Sequence, residues 1–233
     1  GLIHRGKKSD VGAEMTAMLQ ALKHRGPDST GYAVYGAAGE GDYIMRFILA
    51  EQDAMRKSFD MKDIVAARLE EVEKRLALHG AVIKEREHST AYALRYVIQH
   101  EGDTETLARH IEDVDGVEIL SLGSSLELIK DLGDASVVSA QYGLMDFSGT
   151  HSIGHTRMAT ESDVDIRSAH PYWAFPYNDV SVVHNGQITN YWLMRRDMEH
   201  KGHRFMSSCD SEVLAVYTAH NMSIGMTLEE SLR

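Results

Sequence analysis

Residues 182–191 read VVHNGQITNY. This stretch indicates both the fold and the chemistry of the chain. The apolar run over 180–184 predicts a buried strand, and the Asn-Gly pair that follows it predicts a tight turn at the strand end. Asn185 offers a side-chain NH2 group there, and Gly186 offers an unobstructed backbone N–H. Two donors aimed at one point form an oxyanion hole, which stabilises the charge that develops on a carbonyl under attack. An ordinary Asn-Gly turn is the alternative interpretation.

A second polar cluster follows another predicted buried strand, at 152–155. Arg157 and Thr160 lie in the segment GHTRMATES, just past the end of that strand. An arginine in this position can bind a carboxylate through two hydrogen bonds, and a nearby hydroxyl can donate a further hydrogen bond to the same carboxylate. A surface arginine that caps the strand end explains the same residues equally well.

The third cluster is SSCDSE at 207–212, which contains the only cysteine in the chain. Asp210 lies at the start of a predicted helix, where its carboxylate could bind an ammonium group or cap the helix. No base is suggested near Cys209, so we interpret it as a small, partly buried residue beside a pocket and not as a nucleophile. A carboxylate clamp, an ammonium site and an oxyanion hole together describe an α-amino acid with a reactive side-chain carbonyl. Glutamine fits this description.

The composition is that of an ordinary globular protein. The chain has 233 residues, of which 43% are hydrophobic and 25% charged, with a formal net charge of -11. An acidic surface repels phosphate backbones and anionic lipids, so we expect neither nucleic-acid nor membrane partners. A single cysteine cannot form an internal disulfide, which favours a cytoplasmic location. His200 and His203 are the closest pair of histidines and have no third ligand nearby in sequence, so we predict no metal site.

Periodicity predicts alternating helices and strands along the chain. Residues 124–132, SSLELIKDL, are predicted as a helix with serines at its N-cap and Glu127 in its first turns. Within residues 50–145 the predicted strands and helices alternate, which indicates a small α+β insertion packed on the main body. Other helices are predicted over 13–22, 62–78, 104–111, 191–200 and 211–220, with strands over 32–35 and 117–122.

Four motifs in this order resemble the class II glutamine amidotransferases, which are N-terminal-nucleophile (Ntn) hydrolases: HRGPDSTG (24–31), GHTRMAT (154–160), VVHNGQITNY (182–191) and DSEV (210–213). The insertion, particularly 115–135, resembles free-standing amidotransferase subunits of glutamate-synthase-like systems such as N-methylglutamate synthase. The resemblance implies one amidotransferase type 2 domain over 1–233. Its fold class would be α+β, a four-layer αββα Ntn sandwich carrying the 50–145 insertion.

The resemblance also implies a mechanism. An N-terminal cysteine, with its own α-amine as base, attacks the glutamine carboxamide and forms a glutamyl thioester; ammonia leaves and water then releases glutamate. The matching residues are Arg157 and Thr160 for the substrate α-carboxylate, Asp210 for the α-ammonium group, Asn185 and Gly186 for the oxyanion hole, and Arg25 and Gly26 for the loop that orients the nucleophile.

The sequence departs from the family at its start. The family pattern opens Cys-Gly-Ile-x-Gly, whereas this chain opens Gly-Leu-Ile-His, with Gly1 matching the last glycine. We expect the nucleophile just before Gly1 in a longer protein that also continues past the final LEESLR. A catalytically inactive glutamine-binding or scaffold subunit is the alternative. An Ntn hydrolase acting on another amide is a third hypothesis, which the pairing of Arg157 with Asp210 disfavours.

The resemblance implies partners as well. Met158 and Glu161 occupy positions where hexosamine-forming relatives carry tryptophan and histidine, which argues against a sugar-phosphate acceptor. The chain has no flavin motif and no iron–sulfur cysteines, so we expect no cofactor within it. Ammonia would pass to synthase subunits of a glutamate-synthase-like complex, with FMN and iron–sulfur clusters in those partners.

Overall fold

A computed structural model describes residues 1–26, 28–52, 55, 60–158, 166–177 and 179–232 of the chain. Two four-stranded antiparallel sheets form the body, and a two-stranded ribbon lies beside them. The described strands are β1 Leu2–Ile3, β2 Ser29–Tyr35, β3 Asp42–Ile48, β4 Val82–His88, β5 Ala93–Gln99, β6 Glu118–Gly123, β7 Leu126–Leu132, β8 His151–Arg157, β9 Tyr172–Trp173 and β10 Ser181–Val182. The described α-helices are α1 Val11–Ala21, α2 Met61–Leu78, α3 Thr104–Glu112, α4 Ala135–Gln141, α5 Tyr191–His200, α6 Glu212–Ser223 and α7 Leu228–Ser231.

The first sheet has the strand order β1-β8-β2-β7. Met15 and Leu19 of α1 are buried against Tyr32 of β2, which places this helix on one face of the sheet. The register sets Gly154 of β8 opposite Tyr32. A Cβ on Gly154 would lie only 2.8 Å from a methyl group of Leu19, so the helix approaches β8 closely at this point.

The second sheet has the strand order β4-β5-β3-β6. Helices α2 and α3 cover one of its faces through Val72 and Leu107, which share a core with Phe47 and Tyr96. The predicted insertion, residues 50–145, supplies β4, β5 and β6 to this sheet and β7 to the first sheet. Both sheets therefore contain strands from this segment and from residues outside it.

The predicted helix over 124–132 is wrong, because these residues form β7. The strand pairs with β2 along its whole length, and every residue but the last is buried. Glu127 lies 2.6 Å from the Arg46 guanidinium and accepts a 2.9 Å hydrogen bond from Arg95. Burial raises the pKa of Glu127, but the two arginines outweigh it and hold that pKa below its usual value. Because its charges are paired inside the protein, the strand lacks the exposed polar face by which a strand is recognised.

The remaining predicted elements agree with the structure, with one shortening. The five helices at 13–22, 62–78, 104–111, 191–200 and 211–220 are confirmed as α1, α2, α3, α5 and α6. The predicted strand at 180–184 is only two residues long and half-buried, and β8 is mostly half-buried. Among the described residues, no helix combines the length and apolar character that a membrane span requires.

Candidate active site

A cavity of about 1390 Å³ opens along the end of β8. Strand β1 pairs with β8 only at His151 and Ser152, and the cavity begins beyond that point. Five of the predicted site residues line it: Arg25, Arg157, Asn185, Gly186 and Asp210. Motifs that lie far apart in sequence thus meet around one space. Thr160, the predicted helper of the arginine clamp, lies outside the described residues.

The Asp210 carboxylate connects its own motif, DSEV, to the motif VVHNGQITNY. One carboxylate oxygen accepts a 2.7 Å hydrogen bond from the backbone N–H of Ile188, and the other accepts a 3.2 Å bond from the Ser211 hydroxyl. The alternative role as a helix cap is wrong, because α6 has Ser211 at its N-cap position and no side-chain capping bond. The carboxylate instead holds the loop that carries the two proposed oxyanion donors.

Gly186 lies close to the side chain of His184. A Cβ at this position would lie 2.8 Å from Nε2 of His184, whose Nδ1 lies 2.9 Å from the Ser211 hydroxyl. The backbone at Gly186 therefore lies close to the Nε2 edge of the His184 ring. Asn185 and Gly186 are both exposed to the cavity, so their donors are accessible to a ligand.

The segment Lys23–Gly26 docks on the end of β8. A Cβ on Gly26 would lie 2.6 Å from the carbonyl carbon of Thr156 and 2.7 Å from backbone atoms of Arg157. The Asp28 N–H donates a 3.1 Å hydrogen bond to the Arg157 carbonyl. Gly26 itself is buried and does not line the cavity, whereas Arg25 beside it does.

Three histidines that the sequence reasoning missed also line the cavity: His155, His170 and His184. Burial, followed by the charges of Arg157 and His184, lowers the pKa of His155. Burial is also the main reason why the pKa of His170 falls to about 2, and His155 and Lys130 lower it further. His155 stands inside the motif GHTRMAT and His184 inside VVHNGQITNY, which is the signal that could have identified them.

Cys209 is half-buried and lines the cavity, and its sulfur lies 3.9 Å from an Asp210 carboxylate oxygen. Within the described part of the chain, no group of three or more histidine, cysteine, aspartate or glutamate side chains is placed to hold a metal ion. The arrangement is therefore one of charged and hydrogen-bonding groups around an open space.

The chain is similar in sequence to known glutamine amidotransferases. Residues 155–231 match the glutamine amidotransferase domain family. A protein of Methanothermobacter thermautotrophicus that carries the glutamine amidotransferase name is 38% identical over the whole of this chain and 74% of its own length. The glutamine amidotransferase-like protein GlxB of Rhizobium meliloti is 32% identical over 95% of this chain and 68% of its own length. Glutamine–fructose-6-phosphate aminotransferase of Methanothermobacter thermautotrophicus is 36% identical over 49% of this chain and 19% of its own length.

Proposed function

Because the chain belongs to the glutamine amidotransferase family, we propose that it hydrolyses glutamine to glutamate and ammonia. The observation that carries this proposal is the convergence of Arg157, Asp210, Asn185 and Gly186 on one cavity. These groups match the functional groups of glutamine. The guanidinium would bind the α-carboxylate, the Asp210 carboxylate would bind the α-ammonium group, and the two N–H donors would bind the amide oxygen.

We place the nucleophile of this class II reaction on a cysteine that precedes Gly1. The register supports this position: Leu2 lies opposite Ser152 and Ile3 opposite His151 in an antiparallel pair. An extended segment before Gly1 would therefore continue along β8, past Gly154, toward Arg157. A cysteine at the head of the pattern Cys-Gly-Ile-x-Gly would then reach the end of β8, where the cavity lies.

The fold supports the same proposal. Helices cover a face of each of two antiparallel sheets, and strands β6 and β7 follow each other along the chain but belong to different sheets. This arrangement is compatible with the four-layer αββα sandwich of the Ntn hydrolases, with 50–145 as an elaboration of a single domain. We further propose a cytoplasmic location and an acceptor in a separate synthase subunit of the glutamate-synthase type, such as N-methylglutamate synthase, that carries FMN and iron–sulfur clusters.

Two measurements on the full-length protein test the proposal. Mass spectrometry of the intact N-terminus identifies the terminal residue, and a glutamate-release assay measures hydrolysis of glutamine. We expect a terminal cysteine, loss of activity when it is replaced by alanine, and retained activity in Cys209→Ser. A protein that binds glutamine in calorimetry but releases no glutamate would instead be the scaffold subunit. Loss of activity in Cys209→Ser, with a terminal cysteine intact, would contradict our assignment of the nucleophile.

A further inference from the structure

The Ser211 hydroxyl has partners that its place in the helix does not explain. Ser211 is the N-cap residue of α6, a position where serine commonly caps the helix through its side chain, yet no side-chain cap is formed. The residue is only 2% exposed. Its hydroxyl donates a 3.2 Å hydrogen bond to Asp210 and lies 2.9 Å from Nδ1 of His184. The side chain therefore serves the candidate site and not the helix.

Chemistry fixes the direction of these two bonds. A carboxylate only accepts hydrogen bonds, so the single hydroxyl hydrogen of Ser211 points at Asp210. The hydroxyl oxygen must then accept from His184, and Nδ1 of that ring carries a hydrogen. The other ring nitrogen, Nε2, lies beside Gly186, where a Cβ would be 2.8 Å away. A chain of bonds thus runs from the Asp210 carboxylate to the residue that precedes the proposed oxyanion donors.

Asp210 and Ser211 together hold the loop 184–188 at both of its ends. One carboxylate oxygen accepts the Ile188 N–H at 2.7 Å, and the other reaches His184 through the Ser211 hydroxyl. The two proposed oxyanion donors lie between these anchors and are exposed to the cavity. The position of the carboxylate therefore sets the position of the donors.

We propose that Ser211 is a positioning residue that couples the proposed ammonium site to the oxyanion hole. This inference rests on the proposed function. When the α-ammonium group of glutamine binds Asp210, it fixes the carboxylate, and Ser211 passes that constraint on to His184 and the loop. The α-ammonium group then contributes to turnover as well as to affinity, because the oxyanion donors act in the transition state. An amide that lacks the α-amino group would be hydrolysed more slowly even at saturation.

The test compares two substrates in Ser211→Ala, a variant that removes the hydroxyl without removing a helix cap. Glutaramate is glutamine without its α-amino group, so it cannot use the Asp210 carboxylate. In the full-length protein we expect Ser211→Ala to lower kcat about tenfold for glutamine, the effect of one hydrogen bond to a charged group, and by less than about threefold for glutaramate. Equal losses with both substrates, or an unchanged kcat for glutamine, would overturn the inference, since a merely structural role affects both substrates alike.

Two further variants serve as controls. Ser152→Ala removes another buried hydroxyl, which donates a 3.0 Å hydrogen bond to the Ala33 carbonyl on the paired strand. It should leave the ratio of kcat between glutamine and glutaramate unchanged. Ser211→Thr keeps the hydroxyl and should restore most of that ratio. A ratio in Ser211→Thr as low as in Ser211→Ala would count against the hydroxyl as the coupling group.

Nitrogen NMR of the His184 imidazole tests the chain of bonds without an activity assay. At alkaline pH, where imidazoles are neutral, we expect the hydrogen on Nδ1 in the unmodified, nitrogen-15-labelled protein and loss of this fixed tautomer in Ser211→Ala. A hydrogen on Nε2 in the unmodified protein would overturn the inference even if Ser211→Ala does not fold. Absence of glutamate release would count against the proposed function, and the tautomer would then decide the chain of bonds alone. Glutamate release with equal losses for both substrates would count against the coupling only.

Discussion

Replacing Asp210 by asparagine separates its two roles. The asparagine side-chain oxygen can still accept the hydrogen bond from the Ile188 N–H, which the carboxylate now accepts at 2.7 Å. What is lost is the negative charge that we propose binds the substrate ammonium group. Two opposite charges about 4 Å apart interact by about 4 kcal/mol at the effective dielectric constant of about 20 typical near protein surfaces. Since Asp210 is half-buried, we expect a loss of about 2–4 kcal/mol, or about 30- to 1000-fold in kcat/KM for glutamine.

The assay is steady-state glutamate release by the full-length protein, with thermal unfolding measured in parallel. Asp197→Asn is the matched control, because it removes the same charge from an exposed carboxylate on α5 that pairs with Lys201 at 2.8 Å. Asp210→Ala should be worse than Asp210→Asn, since it also releases the loop at Ile188. If Asp210→Asn keeps kcat/KM within about threefold of the unmodified protein, the ammonium role is wrong and the carboxylate serves only to hold the loop.

Two further predictions concern stability. Gly31→Ala should lower the free energy of unfolding by about 1–3 kcal/mol or more in urea titrations, because its Cβ would lie 1.8 Å from the His170 carbonyl oxygen; an unchanged midpoint would contradict this close approach. The pKa of His170 falls from 6.5 to about 2 on folding, so below pH 6.5 the unfolded chain takes up a proton that the folded protein does not. Stability should therefore decrease by up to about 1.4 kcal/mol per pH unit as pH falls below 6.5, and His170→Phe should remove that part of the slope in urea titrations; equal slopes would refute it.

The sequence predicted the elements whose faces differ clearly in polarity. Helix α2 is an example, because Val72 and Leu76 lie on a buried stripe while Lys74 between them is exposed. Strand β7 could not be predicted in the same way. Glu127 resembles a surface residue until Arg46 and Arg95, which lie 81 and 32 residues away in sequence, are known to surround it. Pairing between distant charges decides this element, and no local pattern contains that information.

Only some residues of the candidate site could likewise be predicted from the sequence. Residues whose chemistry is visible from type and spacing, such as Arg157 and Asn185, were identified and line the cavity. His170 was missed because a histidine beside a proline carries no signal of its own, and its properties arise from burial and from Lys130 and Arg157. The bond between Asp210 and Ile188 was missed as well, since it joins two motifs whose relative placement only the fold determines.

The segment HRGPDSTG shows why a motif can belong to a site without supplying much chemistry. Gly26 lies against the backbone at Thr156 and Arg157, and Gly31 lies against the carbonyl of His170. Each glycine permits a main-chain contact that any Cβ would block. The first contact sets the end of β8, which carries the proposed carboxylate clamp, and the second sets the buried imidazole. The two glycines of one short segment thus permit the main-chain contacts that position the proposed clamp and His170.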